Sequence, residues 1–163
     1  GARCGVARGA DGGRVVTLRL ALATDAARVR AWRNNKAARE AAEHPQPVGA
    51  KAHARWWAET LDPLGPRRCW IGEVAGRPVG YVRLEDVEHQ VAIVSVAVAP
   101  AHRGHGYARE MLMALRRQAR RWGVRRLEAN IRSGNLASLV TFLRAGYAMV
   151  QADRAWVRME WRG

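Results

Sequence analysis

The chain is short of the residues that announce several kinds of chemistry. Its two cysteines, Cys4 and Cys69, lie in neither a Cys-x-x-Cys pair nor a Cys/His cluster. That pattern excludes a zinc knuckle or a thioredoxin-type redox motif and leads to the expectation of a reduced, cytoplasmic protein with Cys69 as a buried strand residue. Apolar runs stay far below the roughly 20 residues that cross a bilayer, and no signal-peptide core is visible, so no membrane partner is expected. Lysine is almost absent: of 28 basic residues, Lys36 and Lys51 are the lysines and the rest are arginine. The arginines are scattered, without a long run or an aromatic-interleaved stripe. The net charge of +14 therefore points away from a dedicated nucleic-acid surface and leaves acidic small molecules as partners. Acidic residues are few, and Glu85, Asp86 and Glu88 form their densest group. Such a group either attracts a cationic ligand or is a solvated hairpin.

What is present fits one α/β domain. At 163 residues the chain can bury one substantial core, and nearly half of it is hydrophobic. It does not begin with Met, so a processed product or a piece of something longer is expected. Residues 1–14 are Gly/Arg/Ala-rich without periodicity and read as a flexible arm; the domain is expected over 15–163. The spacing predicts a strand over 15–20, a helix capped at Thr24-Asp25 and running to Trp32, a short helix over 36–43 and a helix over 50–61. Strands follow at 68–74 and 78–84 around the turn Ala75-Gly76-Arg77, with a polar connection over 85–90. A helix over 106–122 has an apolar face of Ala108, Met111, Leu112, Leu115, Ala119 and Trp122. A strand over 126–131, a helix with Leu136, Leu139, Val140 and Leu143 as its core face, and a closing hairpin over 147–150 and 155–160 complete the chain.

The informative stretch is 91–108, VAIVSVAVAPAHRGHGYA. Val91, Ile93, Val94, Val96 and Val98 make a largely buried strand, and Pro100 stops it because it has no N–H for the ladder. Gly104 and Gly106 then leave backbone N–H groups uncovered at the positive end of a helix, and Arg103 adds a formal charge. These features together make a phosphate or pyrophosphate seat. No Lys-Ser/Thr follows, so this is not a P-loop. A dinucleotide fingerprint fails at Arg109, where its third glycine would stand.

Arg103-x-x-Gly106-x-Ala108 resembles the acetyl-CoA pyrophosphate loop of the GNAT N-acetyltransferases, Gln/Arg-x-x-Gly-x-Gly/Ala. Asn135-x-x-Ser138, then Phe142, then Gly146-Tyr147 is similar to that family's second signature, Asn-x-x-Ala/Ser, an aromatic, Gly-Phe/Tyr. The resemblance covers about 91–150. It implies a single-domain GNAT fold with a mixed sheet of about seven strands, splayed central strands and four to five helices, acetyl-CoA as co-substrate, and no metal. It further implies that Val96, Ala97 and Val98 offer backbone groups to the pantetheine arm. Arg103, Gly104, His105, Gly106, Tyr107 and Ala108 would hold the pyrophosphate. Asn135 and Ser138 would contact the pantetheine or the phosphate side, and Phe142 would lie beside the thioester. In most of the family an amine attacks the thioester directly, through a tetrahedral intermediate. Many relatives carry, at the position of Phe142, a tyrosine credited with protonating the departing thiolate. Phe142 has no proton to give, but a thiol of pKa about 8.5 is a tolerable leaving group without one.

Glu128, on the predicted central strand, is the candidate general base. Relatives that acetylate protein N-termini often carry a glutamate there; the alternative is a strand carboxylate paired to a flanking arginine. For the acceptor, Trp32-Arg33-Asn34 with His53-x-x-Trp56-Trp57 resembles enzymes that acetylate nucleotide-linked amino sugars, such as the UDP-4-amino-sugar enzymes of the pseudaminic acid pathway. Polyamine and ribosomal-protein acetyltransferases share parts of this frame. Arg33, Asn34, His53 and Arg83 are the candidates for the acceptor's polar groups, with Trp57 (or Trp56) to stack on a base or sugar. A sensor domain that binds acetyl-CoA without efficient chemistry is the reading from another class. The resemblance also allows a homodimer, and the Asp11-Gly12-Gly13-Arg14 arm resembles a junction to a fused pathway hydrolase.

Overall fold

The period-two pattern of Val16 and Leu18 becomes β1 (Val16–Leu20), whose inward residues are buried and outward ones are not. The computed structural model describes residues 15–163; the arm expected over 1–14, with Cys4, lies outside the described residues. After β1 come α1 (Ala26–Asn34), α2 (Lys36–Ala41) and α3 (Ala50–Leu61). Strands β2 (Arg68–Val74), β3 (Arg77–Glu88) and β4 (Val91–Val98) follow, then α4 (Tyr107–Arg121), β5 (Arg126–Arg132), α5 (Leu136–Arg144), β6 (Ala148–Ala152) and β7 (Trp156–Arg162). The seven strands form one mixed sheet in the order β1-β2-β3-β4-β5-β7-β6. Neighbours are antiparallel except β4 and β5, which run parallel.

Helices α4 and α5 cover one face, where Met111, Leu112, Leu115 and Phe142 pack on Val82, Leu84, Val94 and Leu127. Helices α1 and α3 cover the other, where Val29 and Trp57 pack on Cys69, Ile71 and Tyr81. Two sheet glycines set how closely layers and strands approach. A Cβ at Gly72 would collide with the Met111 sulfur, and one at Gly80 with the Ala97 carbonyl.

Several expectations need correction. The polar connection over 85–90 is largely strand: β3 runs on to Glu88, and the turn is made by His89 and Gln90 at φ of 48° and 66°. The short second helix ends at Ala41 rather than residue 43. Asp25 stands at the N-cap position of α1, but its side chain makes no capping bond to that helix. Its carboxylate is buried and accepts two hydrogen bonds from Arg19 (2.7 and 2.9 Å) and one from the Leu22 N–H (2.8 Å). On α5 the inward residues are Leu139 and Phe142, while Leu136, Val140 and Leu143 face solvent.

Candidate active site

The site begins where two strands part. β4 and β5 pair over three positions, Val91 with Arg126, Ala92 with Leu127 and Ile93 with Glu128. Beyond these, residues 94–98 of β4 keep their pairing to β3 and residues 129–132 of β5 keep theirs to β7, but the two strands no longer pair with each other. The slot-facing backbone edge of Val96, Ala97 and Val98 is thus free for an extended ligand to add to. Further along the chain, Gly104 and Gly106 sit at φ of 83° and 76°, where L side chains are strained, and a Cβ on either would meet no protein atom within 4 Å. Gly106 is the N-cap of α4 and no side chain caps that end. A free strand edge leading to an open, glycine-lined cradle at a helix N-terminus fits a pantetheine arm joined to a pyrophosphate.

The sequence-predicted residues fall into place unevenly around this slot. The Arg103 guanidinium donates to Asn35 Oδ1 at 3.0 Å. His105 is exposed and its ring lies 5.3 Å from that of Tyr107. Tyr107 buries its side chain in the core, which leaves its backbone for the loop, and Ala108 opens the first turn of α4. Asn135 caps α5, its Oδ1 accepting from the Ser138 N–H at 3.2 Å. Phe142 is buried, edge-on to Tyr147 with ring centroids 5.0 Å apart. The Tyr147 hydroxyl has no partner, and burial pushes its pKa well above the ordinary tyrosine value despite the Arg116 charge. It is not placed to supply a proton.

Glu128 stands at the last paired position before the strands diverge. Its carboxylate lies 3.1 Å from Arg126 Nε, off the N–H axis, so the contact is an ion pair rather than a hydrogen bond. The pairing expected as the alternative to a base is therefore present, at the mouth of the slot. The ladder adds what single-strand reading missed. Glu85 opposes Ile93, Ile93 opposes Glu128, and Glu128 opposes Glu160, so three glutamates lie in one row on one face. Each has an arginine two residues away on its own strand: Arg83 at 3.2 Å from Glu85, Arg126 from Glu128, and Arg162 at 3.1 Å from Glu160. The signal was legible as a repeated triplet, Arg83-Leu84-Glu85, Arg126-Leu127-Glu128 and Arg158-Met159-Glu160. Positions i and i+2 of a strand share a face.

On the acceptor side the predictions need revision. His53 is buried between Trp56 and Trp57, stacked 5.9 Å from the latter, with Nε2 unpartnered; burial, then the Arg30 charge, lowers its pKa. Trp57 is core, and the half-buried Trp56 instead lies 5.2 Å beneath the Arg83 guanidinium. Two large rings one residue apart on a helix cannot both face the sheet. Asn34 uses both ends of its amide on the Val48 backbone, at 2.7 and 2.9 Å, and so anchors the loop before α3. Arg33 donates to the His44 carbonyl at 2.8 Å and leaves Nη1 buried without a partner. Its neighbour Trp32 stacks on Tyr81 at 6.3 Å. Arg132 lies 4.7 Å over Trp156 and donates to the Ala42 carbonyl at 2.7 Å, tying the end of α2 to the end of β5. Cys69 is buried, its thiol pushed up to about 12 by burial, and is inert. A shallow pocket of about 280 Å³ among Leu64, Pro66, Arg68, Leu84, Val87 and Trp122 lies toward the opposite end of α4 and contains none of these groups. Among the described residues no cluster of three or more His, Cys, Asp or Glu is placed to hold a metal, and no helix is long and apolar enough to cross a membrane.

Comparison with known proteins agrees with this geometry. A spermidine N-acetyltransferase from Vibrio cholerae, solved with CoA and spermine, superposes with a TM-score of 0.80 at 17% identity, over 90% of this chain and 95% of that one. A ribosomal-protein-alanine N-acetyltransferase from Brucella melitensis gives 0.76 at 23%, over 89% and 98%. The yncA protein of Salmonella typhimurium, solved with its cofactor acetyl-CoA, gives 0.74 at 25%, over 90% and 93%. No curated sequence is a significant match. The family model of the acetyltransferase (GNAT) family matches residues 25–147, most of the described chain. The chain belongs to the acetyltransferase (GNAT) family and is an acyltransferase with acetyl-CoA as its acyl donor.

Proposed function

We propose that this N-acetyltransferase acts on the primary amine of a nucleotide-linked amino sugar of the UDP-4-amino-sugar type. The observation that carries the reading is the placing of two arginines against flat aromatic surface beside the slot. Arg33 keeps a buried, unpartnered Nη1, and Arg83 lies over Trp56 near the Trp32–Tyr81 stack. Guanidinium forks meet phosphate oxygens in charge-assisted pairs, and an indole face receives a base or sugar ring.

Acetyl-CoA, when bound, supplies an acetyl group activated as a thioester. The backbone edge of Val96, Ala97 and Val98 binds its arm, and Arg103, Gly104, Gly106 and the first-turn N–H groups of α4 bind its phosphates. The Asn135 side-chain amide and the Ser138 hydroxyl flank the arm, and the Phe142 ring closes the apolar wall. Glu128, at the fork of the strands, accepts the proton that the acceptor ammonium must lose, at a carboxylate oxygen that Arg126 holds in place. Phe142 has no proton to give, and a thiol of pKa about 8.5 is a tolerable leaving group without one.

The row of Glu85, Glu128 and Glu160 favours a second reading, a polyamine or a protein N-terminus as the cationic acceptor. CoA thiol release from acetyl-CoA separates the two when measured against UDP-4-amino-sugars, spermidine and short peptides with free N-termini. The proposal expects release with an amino sugar, a product heavier by one acetyl, and a KM for that acceptor raised about tenfold or more by Arg83→Ala. Release confined to spermidine or peptide overturns it in favour of the second reading. Glu128→Gln is expected to lower kcat about 100-fold while the KM for acetyl-CoA stays within about twofold. An unchanged kcat removes Glu128 from the chemistry.

A further inference from the structure

Arginines that look scattered along the sequence are gathered by one helix. On α4, Arg109, Arg116, Arg117, Arg120 and Arg121 stand at i, i+7, i+8, i+11 and i+12. That spacing sets them together on the side away from the buried Met111, Leu112, Leu115 and Ala119. Arg109 Nε donates to the Arg144 carbonyl at 3.1 Å, which brings the exposed Arg144 of α5 alongside. Elsewhere Arg19, Arg83, Arg126 and Arg162 each pair with a carboxylate, but among the described residues no arginine of α4 is in an ion pair. The one acid of the helix, Glu110, accepts from the Val16 N–H at 3.3 Å. The helix dipole favours Arg120 and Arg121 in the last turn. However, Arg116 stands four residues before Arg120 and Arg117 four before Arg121, a spacing at which like charges repel.

Aromatic contacts order this stripe and mark its end. The guanidinium centres of Arg116 and Arg120 lie 5.2 and 5.5 Å from the Trp161 ring, so both are held in place before a ligand arrives. One residue past Arg121, Trp122 is 42% exposed and borders the shallow pocket that Leu64, Pro66 and Val87 help to line. We infer that the α4 face binds single-stranded nucleic acid, with phosphates along the arginines and a base against Trp122. Length selects a polymer, because the stripe runs about 18 Å from Arg109 to Arg121 at 1.5 Å per residue. The scarcity of apolar surface selects nucleic acid over an acidic protein. Met113, 37% exposed, is the one large apolar side chain among these arginines, whereas protein interfaces centre on an apolar core depleted in charge. A phosphate backbone is bound through charge alone, and an exposed indole stacks on any base. Arg116 stands about 15 Å along the helix from Gly106, so this surface is separate from the glycine loop that takes the donor.

Fluorescence anisotropy of the full chain with a labelled single-stranded RNA of about 12 nucleotides tests this. Affinity is expected to fall about 100-fold between about 50 and 200 mM salt, as five phosphate contacts require. Changing Arg116, Arg117, Arg120 and Arg121 together to Gln should weaken binding about 30-fold or more and flatten the salt slope by about three. Changing Lys51, Arg55, Arg77 and Arg154 to Gln removes the same charge from exposed positions elsewhere and should alter affinity by less than about threefold. Trp122→Ala should cost about tenfold with the salt slope unchanged. Circular dichroism and the KM for acetyl-CoA should stay at parent values in all three variants. Four results would each overturn the inference: no binding at low salt, equal weakening by the two four-residue variants, indifference to Trp122→Ala, or displacement of the RNA by polyglutamate at equal charge. The last would identify an acidic protein as the partner.

Discussion

At His53 burial acts on a titratable group whose charged form has no partner. The folded-state pKa is depressed below the usual histidine value near 6.5, so the unfolded chain binds this proton first as pH falls, and stability declines below about pH 6.5. His53→Gln should therefore flatten the loss of Tm between neutral and mildly acidic pH, as thermal denaturation would show; an equally steep loss would mean another group titrates there. Asp25 works in a lower window. Burial pushes its carboxyl up, but the Arg19 and Leu22 hydrogen bonds and the Arg19 and Arg28 charges outweigh burial and hold it below the carboxylate range. Its contribution is complete above the unfolded carboxyl pKa near 3.9 and disappears as pH falls through the lower folded value. Asp25→Asn should cost about 2–3 kcal/mol at neutral pH, because Arg19 would lose a charged partner. The sequence marked both residues, one as a substrate ligand and one as a helix cap. It could not show that each is buried, because burial is decided by elements that fold over them from elsewhere in the chain.

Among elements, α4 and its glycine loop are the clearest in the sequence. The apolar face repeats over four turns, and Gly106 must adopt a backbone conformation that other residues avoid. Gly106→Ala should cost about 1–2 kcal/mol from the left-handed backbone and raise the KM for acetyl-CoA, because its methyl group fills the cradle. A KM unchanged from the parent would place the phosphates elsewhere. β3 was harder to read. Its end, over residues 85–88, sets Val87 among Glu85, Asp86 and Glu88, which are poor strand formers, and the ladder to β4 overrides their preference. The glutamate row was only half legible: the Arg-x-Glu triplet marks each strand, but the register that aligns strands 35 residues apart, Ile93 with Glu128, belongs to the sheet and not to any one segment. α5 misled in the opposite sense. Its apolar periodicity is real, but among the described residues Leu139 and Phe142 face the core while Leu136, Val140 and Leu143 face outward.

Across the whole molecule, the arginines act as fasteners as much as charges. The segment over 35–48 has no buried residue in α2 and is held by Arg33 on His44, Arg132 on Ala42 and Arg103 on Asn35. The last of these links joins the proposed pyrophosphate loop to the N-cap of α2, since Asn35 Oδ1 also accepts from the Ala37 N–H at 3.2 Å. An arginine that turns to a pyrophosphate gives up a neutral acceptor for an anionic one. Donor binding and the grip on the segment flanking the acceptor face are then one equilibrium, and each must weaken or strengthen the other by the same factor. Asn35→Ala should free Arg103 in advance and tighten acetyl-CoA binding several-fold, while amide exchange over 36–48 should quicken in the parent when acetyl-CoA is added. The free enzyme would in that sense carry its own competitive inhibitor, built from one asparagine, and the donor would have to displace it before the acceptor could settle.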